Sequence, residues 1–200
     1  MVAERYPEAA AGLVAYAELL ATAGVERGLI GPREVPRLWE RHLLNCAVVA
    51  ELIPPGATVA DAGSGAGLPG LVLALVRPDL RVTLVEPMLR RTTFLTEAVE
   101  GLGLVDRVEV RRARIEELPK AARFDVVTSR AVASLDKLVG WCAPRLAPGG
   151  RILAMKGDRA ETELAEAGPL LARRGLNSSR VLRVGAGVVD PPTAVVELAR

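Results

Sequence analysis

Glycines recur at short spacing in the segment Val59–Gly70, which reads VADAGSGAGLPG. Gly63, Gly65 and Gly67 lack the side chains that would keep a ligand away from the backbone, and they tolerate the positive φ angles of a tight turn. The segment follows an apolar run and precedes a helical pattern. It therefore predicts a strand–loop–helix unit that binds a nucleoside cofactor at the carboxyl end of a parallel strand.

An acidic residue ends the next predicted strand. Glu86 lies 19 residues after Gly67 and closes the run RVTLVE. A carboxylate at this place holds the ribose hydroxyls of NAD in dehydrogenases and of S-adenosylmethionine in methyltransferases. Because the spacing of Gly65, Gly67 and Gly70 also satisfies the dinucleotide fingerprint, the loop and the acid together leave both cofactor classes open.

Two further features favour a methyltransferase over an NAD-dependent oxidoreductase. Asp61 stands directly ahead of the glycines, in a site that suits a cofactor with a free amine and a sulfonium. The last two predicted strands, 179–184 and 194–198, have only a short loop between them. Parallel neighbours need a crossover of a dozen or more residues, so we expect the final strand to run antiparallel. The sheet of the methyltransferase class ends in such an antiparallel strand.

The elements that must position this loop follow from the hydrophobic pattern. From residue 57 onward, seven predicted strands alternate with helices, which indicates a mostly parallel sheet covered on both faces. The preceding residues predict a helix over 7–23 and a second one from about Glu34, with Pro36 in its first turn. We expect one domain over residues 1–200, with a helical extension (1–55) and a cofactor-binding α/β core (56–200).

Composition sets the outer limits on function. Half of the 200 residues are hydrophobic and a quarter are charged, which is typical of a globular protein with a full core. The net charge of +2 permits a nucleic-acid partner without requiring one. We expect no metal, because the sequence has one histidine and two distant cysteines. No signal sequence and no apolar run of about 18 residues is present, so we expect a cytoplasmic protein without a membrane partner.

Four segments carry a resemblance to a known family. In chain order they are LWERHLLNC (38–46), DAGSGAGLPG (61–70), TSRAVA (128–133) and LAMKG (153–157). From about Gly28 to Arg200 the sequence resembles the glucose-inhibited division protein B family of 16S ribosomal RNA (guanine-N7) methyltransferases. Asn45 and Cys46 stand where that family has Asp-Ser.

The resemblance implies a fold, a cofactor and a reaction. The fold is the Rossmann-like class I methyltransferase, a mostly parallel seven-stranded sheet with an antiparallel last strand, plus N-terminal helices. The reaction is methyl transfer from S-adenosylmethionine to N7 of a guanine in 16S ribosomal RNA, free or within the small ribosomal subunit. A methyltransferase of the same fold acting on another substrate, and an NAD-dependent oxidoreductase, remain the alternatives.

Site residues follow from the loop pattern and from the resemblance together. The loop residues line the cofactor, Glu86 holds the ribose, the pair at 115–116 flanks the adenine, and Arg130 lies beside the methionine moiety. The expected cofactor-binding set is Gly63, Gly65, Leu68, Glu86, Ile115, Glu116 and Arg130. We predict no catalytic residue, because guanine N7 is nucleophilic without losing a proton.

The RNA-binding residues are less determined by the sequence. Basic residues that follow strand ends on the cofactor side, away from the cofactor itself, are predicted phosphate contacts; they are Arg90, Arg91, Lys156 and Arg159. The helix with Arg37 and Arg41 is the other candidate surface. His42 is either a partly buried helical residue with one hydrogen bond or a part of the RNA pocket.

Overall fold

Seven strands form a single sheet in the computed structural model, which describes residues 2–200 and the side chains of residues 4–200. The strands lie in the order β3-β2-β1-β4-β5-β7-β6. Their bounds are β1 Thr58–Ala62, β2 Arg81–Val85, β3 Val108–Arg111, β4 Phe124–Arg130, β5 Leu146–Lys156, β6 Ser178–Val184 and β7 Thr193–Ala199.

The direction of each strand follows from the length of its connections. The pairs β1–β2, β1–β4, β2–β3 and β4–β5 are parallel, whereas β7 is antiparallel to both β5 and β6. The short loop between β6 and β7 permits only an antiparallel return. The predicted mostly parallel sheet with an antiparallel last strand is confirmed.

Helices cover both faces of the sheet, and a large apolar cluster lies on each face. Val126 of β4 packs into one apolar cluster and Val127 into the other, as expected for side chains that alternate across a strand. The α-helices are α1 Val2–Arg5, α2 Ala10–Leu19, α3 Asn45–Ala47, α4 Gly70–Val76, α5 Leu89–Gly101, α6 Leu135–Cys142 and α7 Ala160–Arg173. Within the described residues, none of the helices has both the length and the apolar character needed to cross a membrane.

The helical region before β1 is more irregular than predicted. In place of one helix from Glu34, the chain forms a 3-10 helix over Pro32–Arg37 and a π-helix over Leu38–Leu44; α3 and the 3-10 helix Val48–Leu52 follow. Pro36 has no N–H to donate and restricts the residue before it, which prevents regular α-helical pairing at the start.

Strand β5 begins earlier than its local sequence indicates. The residues Pro148-Gly149-Gly150 are typical of a turn and predict a strand only over Arg151–Met155, but β5 already begins at Leu146. Leu146 pairs with Phe124, and the next pairs join Val126 to Arg151, so the intervening residues form a bulge. A bulge keeps the strand paired on both sides of the turn residues.

Candidate active site

The glycine loop connects β1 to α4 at the carboxyl end of the sheet. The amides of Gly63 and Ser64 donate to the carbonyl of Val85 at the end of β2, over 2.8 and 3.1 Å. Gly63 has a φ of +72°, and a Cβ atom placed there would lie 2.7 Å from Cγ2 of Val132. This position therefore accepts only glycine without a shift of its neighbours.

Glu86 holds the glycine loop in place through hydrogen bonds to backbone amides. Its carboxylate is buried and accepts the amides of Gly65 through Oε2 and of Met88 through Oε1, each over 3.0 Å. Each carboxylate oxygen retains a further lone pair, so both ribose hydroxyls of a nucleoside could still donate to Glu86. Arg91, which we expected outside the cofactor site, instead lies beside this acid, with Nη1 3.5 Å from Oε2.

Asp61 carries an unsatisfied buried oxygen. Its Oδ2 accepts the amide of Gly70 over 3.0 Å, while Oδ1 has no hydrogen-bond partner and the residue is fully buried. Burial is the largest cause that raises the pKa of Asp61 to about 7. A buried acceptor without a partner is rare, and a carboxylate at this place attracts a cofactor that carries an amine and a sulfonium. The carboxylates of Asp61 and Glu86 at the loop thus fit S-adenosylmethionine.

The raised pKa of Asp61 predicts a pH-dependent stability. Between about pH 4 and 7 the folded chain keeps a proton that the unfolded chain releases, so the Asp61 contribution to the free energy of unfolding is lost as pH rises through this window. Denaturant titrations of wild type and Asp61→Asn at both ends of the window measure it. The advantage of wild type over the variant should shrink as pH rises; a constant difference would contradict the assignment.

A control for this titration is available on β4. Asp125 accepts the amide and the hydroxyl of Thr58, and these hydrogen bonds lower its pKa. Because the shift has the opposite sign, the Asp125 contribution to stability is present at neutral pH and is lost as pH falls. Asp125→Asn should therefore change the pH profile in the opposite direction from Asp61→Asn.

The predicted adenine pair follows β3. Ile115 is buried in the same apolar cluster as Val85, the residue before Glu86. Glu116 is exposed, and its carbonyl accepts from Nη2 of Arg145 over 2.8 Å. The fold therefore brings the pair to the sheet end that carries Glu86. Leu68 of the loop is buried in the opposite cluster.

A cleft of about 900 Å³ opens next to the loop, at the carboxyl ends of β4 and β5. The segment 130–134 forms one wall, and within it Ala131 adopts a φ of +53°, which is uncommon for a residue with a side chain. The helical region before β1 and the β6–β7 loop supply the other walls. Charged residues of both signs line the cleft: Arg37, Arg41, Arg130, Lys156, Arg183, Glu40, Asp158, Glu163 and Asp190.

The side chain of Lys156 binds the segment 130–134 and is not an exposed cation. Its side chain is only 8% exposed, and Nζ donates to the carbonyl of Ala133 over 2.6 Å and to Oε2 of Glu163 over 2.8 Å. The same Oε2 accepts the amide of Leu135 at the start of α6. Because two of its three N–H donors bind Ala133 and Glu163 and the side chain is mostly buried, Lys156 is not the free cation that the predicted phosphate contact requires. Arg159, at 74% exposed, stays available.

Breaking the Lys156–Glu163 pair is expected to destabilise the protein. Lys156→Met removes one partner of a mostly buried ion pair and should lower the free energy of unfolding by about 3 kcal/mol, because Glu163 keeps its charge without compensation. Arg159→Ala is the matched control, since its contact with Glu166 is 4.0 Å long and exposed; it should change stability by less than about 0.5 kcal/mol. Urea denaturation measures the free energy of unfolding of both variants. An equal loss in the two variants would contradict a stabilising role for the Lys156–Glu163 pair.

One contact to the glycine loop was missed by the sequence analysis. Tyr16 of α2 is fully buried, and its hydroxyl donates to the carbonyl of Ala66 over 2.6 Å. The helical region before β1 therefore supports the loop directly. Tyr16 falls within the predicted helix 7–23, but no pattern in the sequence identifies a partner 50 residues away.

Comparison with solved structures defines the class. The S-adenosylmethionine-dependent methyltransferase SibL matches 85% of this chain and 59% of its own, with a TM-score of 0.65 and 19% identity. A SAM-dependent O-methyltransferase from Thermotoga maritima matches 78% of this chain and 64% of its own, with a TM-score of 0.62 and 17% identity. The chain thus spans less than two thirds of these structures. The fold is that of a Rossmann-like class I S-adenosylmethionine-dependent methyltransferase.

The sequence comparisons identify the family. Residues 9–188 match the family model GidB, rRNA small subunit methyltransferase G. Relatives named ribosomal RNA small subunit methyltransferase G include one from Thermobifida fusca, 65% identical over 92% of this chain and 77% of its own, and one from Streptomyces coelicolor, 60% identical over 98% and 80%. The chain belongs to this family. It is a methyltransferase with S-adenosylmethionine as its cofactor, and the oxidoreductase alternative does not hold.

Proposed function

We propose that the protein transfers a methyl group to N7 of a guanine in 16S ribosomal RNA, which enters the cleft beside the glycine loop. This proposal rests on one observation: the cleft and the glycine loop share a wall. Val132 lines the cleft, and its side chain also lies next to Gly63 of the loop. A base in the cleft and a cofactor on the loop therefore meet at the segment 130–134.

The cofactor is held, in this proposal, by the residues that the sequence analysis selected. Gly63 and Gly65 admit its methionine part, and Leu68 lines the same loop. Glu86 receives its ribose hydroxyls, and Ile115 with Glu116 flanks its adenine. Arg130 borders the methionine part at the end of β4. When bound, S-adenosylmethionine supplies the electrophilic methyl group.

No general base is required from the protein. Guanine N7 carries an exposed lone pair, so the enzyme contributes alignment of N7 with the methyl group and exclusion of water. The arrangement of the single histidine agrees with this, because both ring nitrogens of His42 are engaged, with Glu34 and with Arg130. Methylation adds positive charge to the base, which the carboxylates of Glu40 and Asp190 at the cleft can offset.

The charge of the cleft supports an RNA substrate. The exposed guanidinium groups of Arg37 and Arg41 lie at one wall and that of Arg183 at another. These groups suit bidentate contacts with phosphate. Arg37 and Arg41 belong to the helical region 1–55, which we propose serves as an RNA-facing extension of the core 56–200. The partner is 16S ribosomal RNA or the small ribosomal subunit, and the protein acts in the cytoplasm.

Residues with metal-binding chemistry do not cluster in the described chain. Within residues 2–200, no group of three or more histidine, cysteine, aspartate or glutamate residues is arranged to hold a metal ion.

Substitution of the target atom tests the proposed position. Two small-subunit RNAs are transcribed, one with guanosine and one with 7-deazaguanosine, in which carbon replaces N7. Both are incubated with the protein and methyl-labelled S-adenosylmethionine. We expect label in the first RNA and none in the second. Equal labelling of both RNAs would place the methyl group on another atom and overturn the proposal.

A further inference from the structure

The guanidinium group of Arg130 joins the end of β4 to the helical region before β1. Nη1 donates to Sγ of Cys46 over 3.3 Å, and Nη2 donates to the carbonyl of Arg41 over 3.1 Å and contacts Nδ1 of His42 over 2.8 Å. All three acceptors come from residues 41–46. The side chain of Arg130 is therefore fixed by one short stretch of the helical region.

The hydrogen-bond partners of His42 determine its tautomer. A guanidinium group only donates, so Nδ1 of His42 must accept from Arg130. The ring is then neutral, with its proton on Nε2, which donates to Oε2 of Glu34 over 2.8 Å. Glu34 also pairs with Arg41 over 3.2 Å, which fixes the carboxylate in turn. The result is a continuous chain of contacts from Glu34 through His42 to Arg130.

Arg130 retains donors for a bound molecule. Three of its five N–H groups are used by Cys46, Arg41 and His42, so two remain, and the residue lines the cleft. A long, flexible side chain loses conformational freedom when it binds, and this cost falls when the side chain is already held in place. The contacts with residues 41–46 therefore prepare Arg130 for the reaction.

We propose that His42 is a positioning residue that holds Arg130 in its reactive orientation at the cleft, with Glu34 fixing the imidazole. This inference rests on the proposed function, since it assigns Arg130 to the methyl-transfer site. His42 itself need not touch the RNA. Its role is to present one neutral acceptor nitrogen to the guanidinium group.

Two matched substitutions separate this role from a general structural one. Asparagine places an amide oxygen near the position of Nδ1, so His42→Asn keeps the acceptor for Arg130. Glutamine places its amide near the position of Nε2, so His42→Gln keeps the contact with Glu34 and loses the acceptor. A hydrogen bond to a charged group is worth enough that kcat/KM for RNA should fall about tenfold in His42→Gln. His42→Asn should stay within about twofold of wild type.

The pH profile gives an independent readout. Burial lowers the pKa of His42, and the cations Arg130 and Arg41 act in the same direction, while Glu34 opposes them. Protonation of Nδ1 would remove the acceptor, so kcat/KM of wild type should fall as pH drops through this lowered pKa. The thiol of Cys46, whose pKa is raised by burial, stays neutral in that range. Asp61, whose pKa burial raises to about 7, titrates in wild type and in His42→Asn. His42→Asn should therefore keep the part of the acidic limb that belongs to Asp61 and lack the further fall at lower pH.

The outcomes distinguish the inference from the function on which it rests. Melting temperatures of both variants are measured beside kcat/KM for RNA. Loss in His42→Gln with retention in His42→Asn, at equal melting temperatures, supports the positioning role. An active wild type with equal activity in both variants, or an equal loss in both, would overturn this inference alone. A wild type that fails to methylate the RNA would overturn the proposed function as well.

Discussion

Replacing Gly63 with alanine is expected to weaken S-adenosylmethionine binding at least about hundredfold, roughly 2.7 kcal/mol. The φ of +72° is unfavourable for any residue with a side chain, and the added Cβ would lie 2.7 Å from Val132. The side chain of Val132 or the loop itself must shift, and in the proposed function both border the cofactor. Isothermal titration calorimetry with S-adenosylmethionine measures the loss.

The matched control for this substitution lies between α5 and β3. Gly103 has a similar φ of +66°, but a Cβ atom there would meet no other atom within 4 Å. Gly103→Ala and Gly63→Ala should therefore share the backbone penalty, on the order of 1 kcal/mol of stability. Only Gly63→Ala should lose cofactor affinity. An equal affinity in the two variants would mean that the loop does not contact the cofactor.

Removing the carboxylate of Glu86 is expected to weaken cofactor binding by roughly a hundredfold. Two charge-assisted hydrogen bonds to ribose are together worth on the order of 3 kcal/mol. The structure adds a second cause, because Glu86→Ala also leaves the amides of Gly65 and Met88 without their acceptor. The loop then loses its support as well as its ligand contact. Equilibrium binding of labelled S-adenosylmethionine measures the change.

A control for Glu86 is the acid on the neighbouring strand β3. Glu109 is more than half exposed and pairs with Arg111 on the same strand, so Glu109→Ala should leave cofactor affinity unchanged. Comparing Glu86→Gln with Glu86→Ala then separates the lost ribose contact from the lost support of the loop. The amide oxygen of glutamine can still accept a hydrogen bond from one backbone amide of the loop, whereas alanine cannot. A change below about threefold in Glu86→Ala would show that the ribose lies elsewhere.

Local patterns in the sequence were enough to predict seven strands and the antiparallel last one. The alternation of apolar runs with helical segments indicated the strands, and the short loop between β6 and β7 required the antiparallel end. The order of the strands in the sheet was not predicted. The roles of the glycine loop and of Glu86 stay predictions, which rest on backbone geometry and strand ends that short sequence motifs specify directly.

The parts that sequence reasoning missed depend on contacts between distant residues. Lys156 was predicted to be an exposed cation at a strand end, but its ammonium group donates hydrogen bonds to Glu163 and Ala133. His42 was expected either to make one hydrogen bond in a helix or to belong to the RNA pocket. In the structure it bridges Glu34 and Arg130, which lies 88 residues further along the chain. Side chains of this kind are satisfied by tertiary partners, and no local pattern encodes which partner the fold will supply.

The most direct test of the account is the methylation of its proposed substrate. Small-subunit ribosomal RNA from cells that lack the protein is incubated with wild type or Gly63→Ala and S-adenosylmethionine, then digested and analysed by nucleoside mass spectrometry. We predict one 7-methylguanosine per RNA with wild type, and far less with Gly63→Ala when S-adenosylmethionine is supplied near the Kd of wild type. Unmodified RNA after incubation with wild type, or a methyl group on any other nucleoside, would contradict the account.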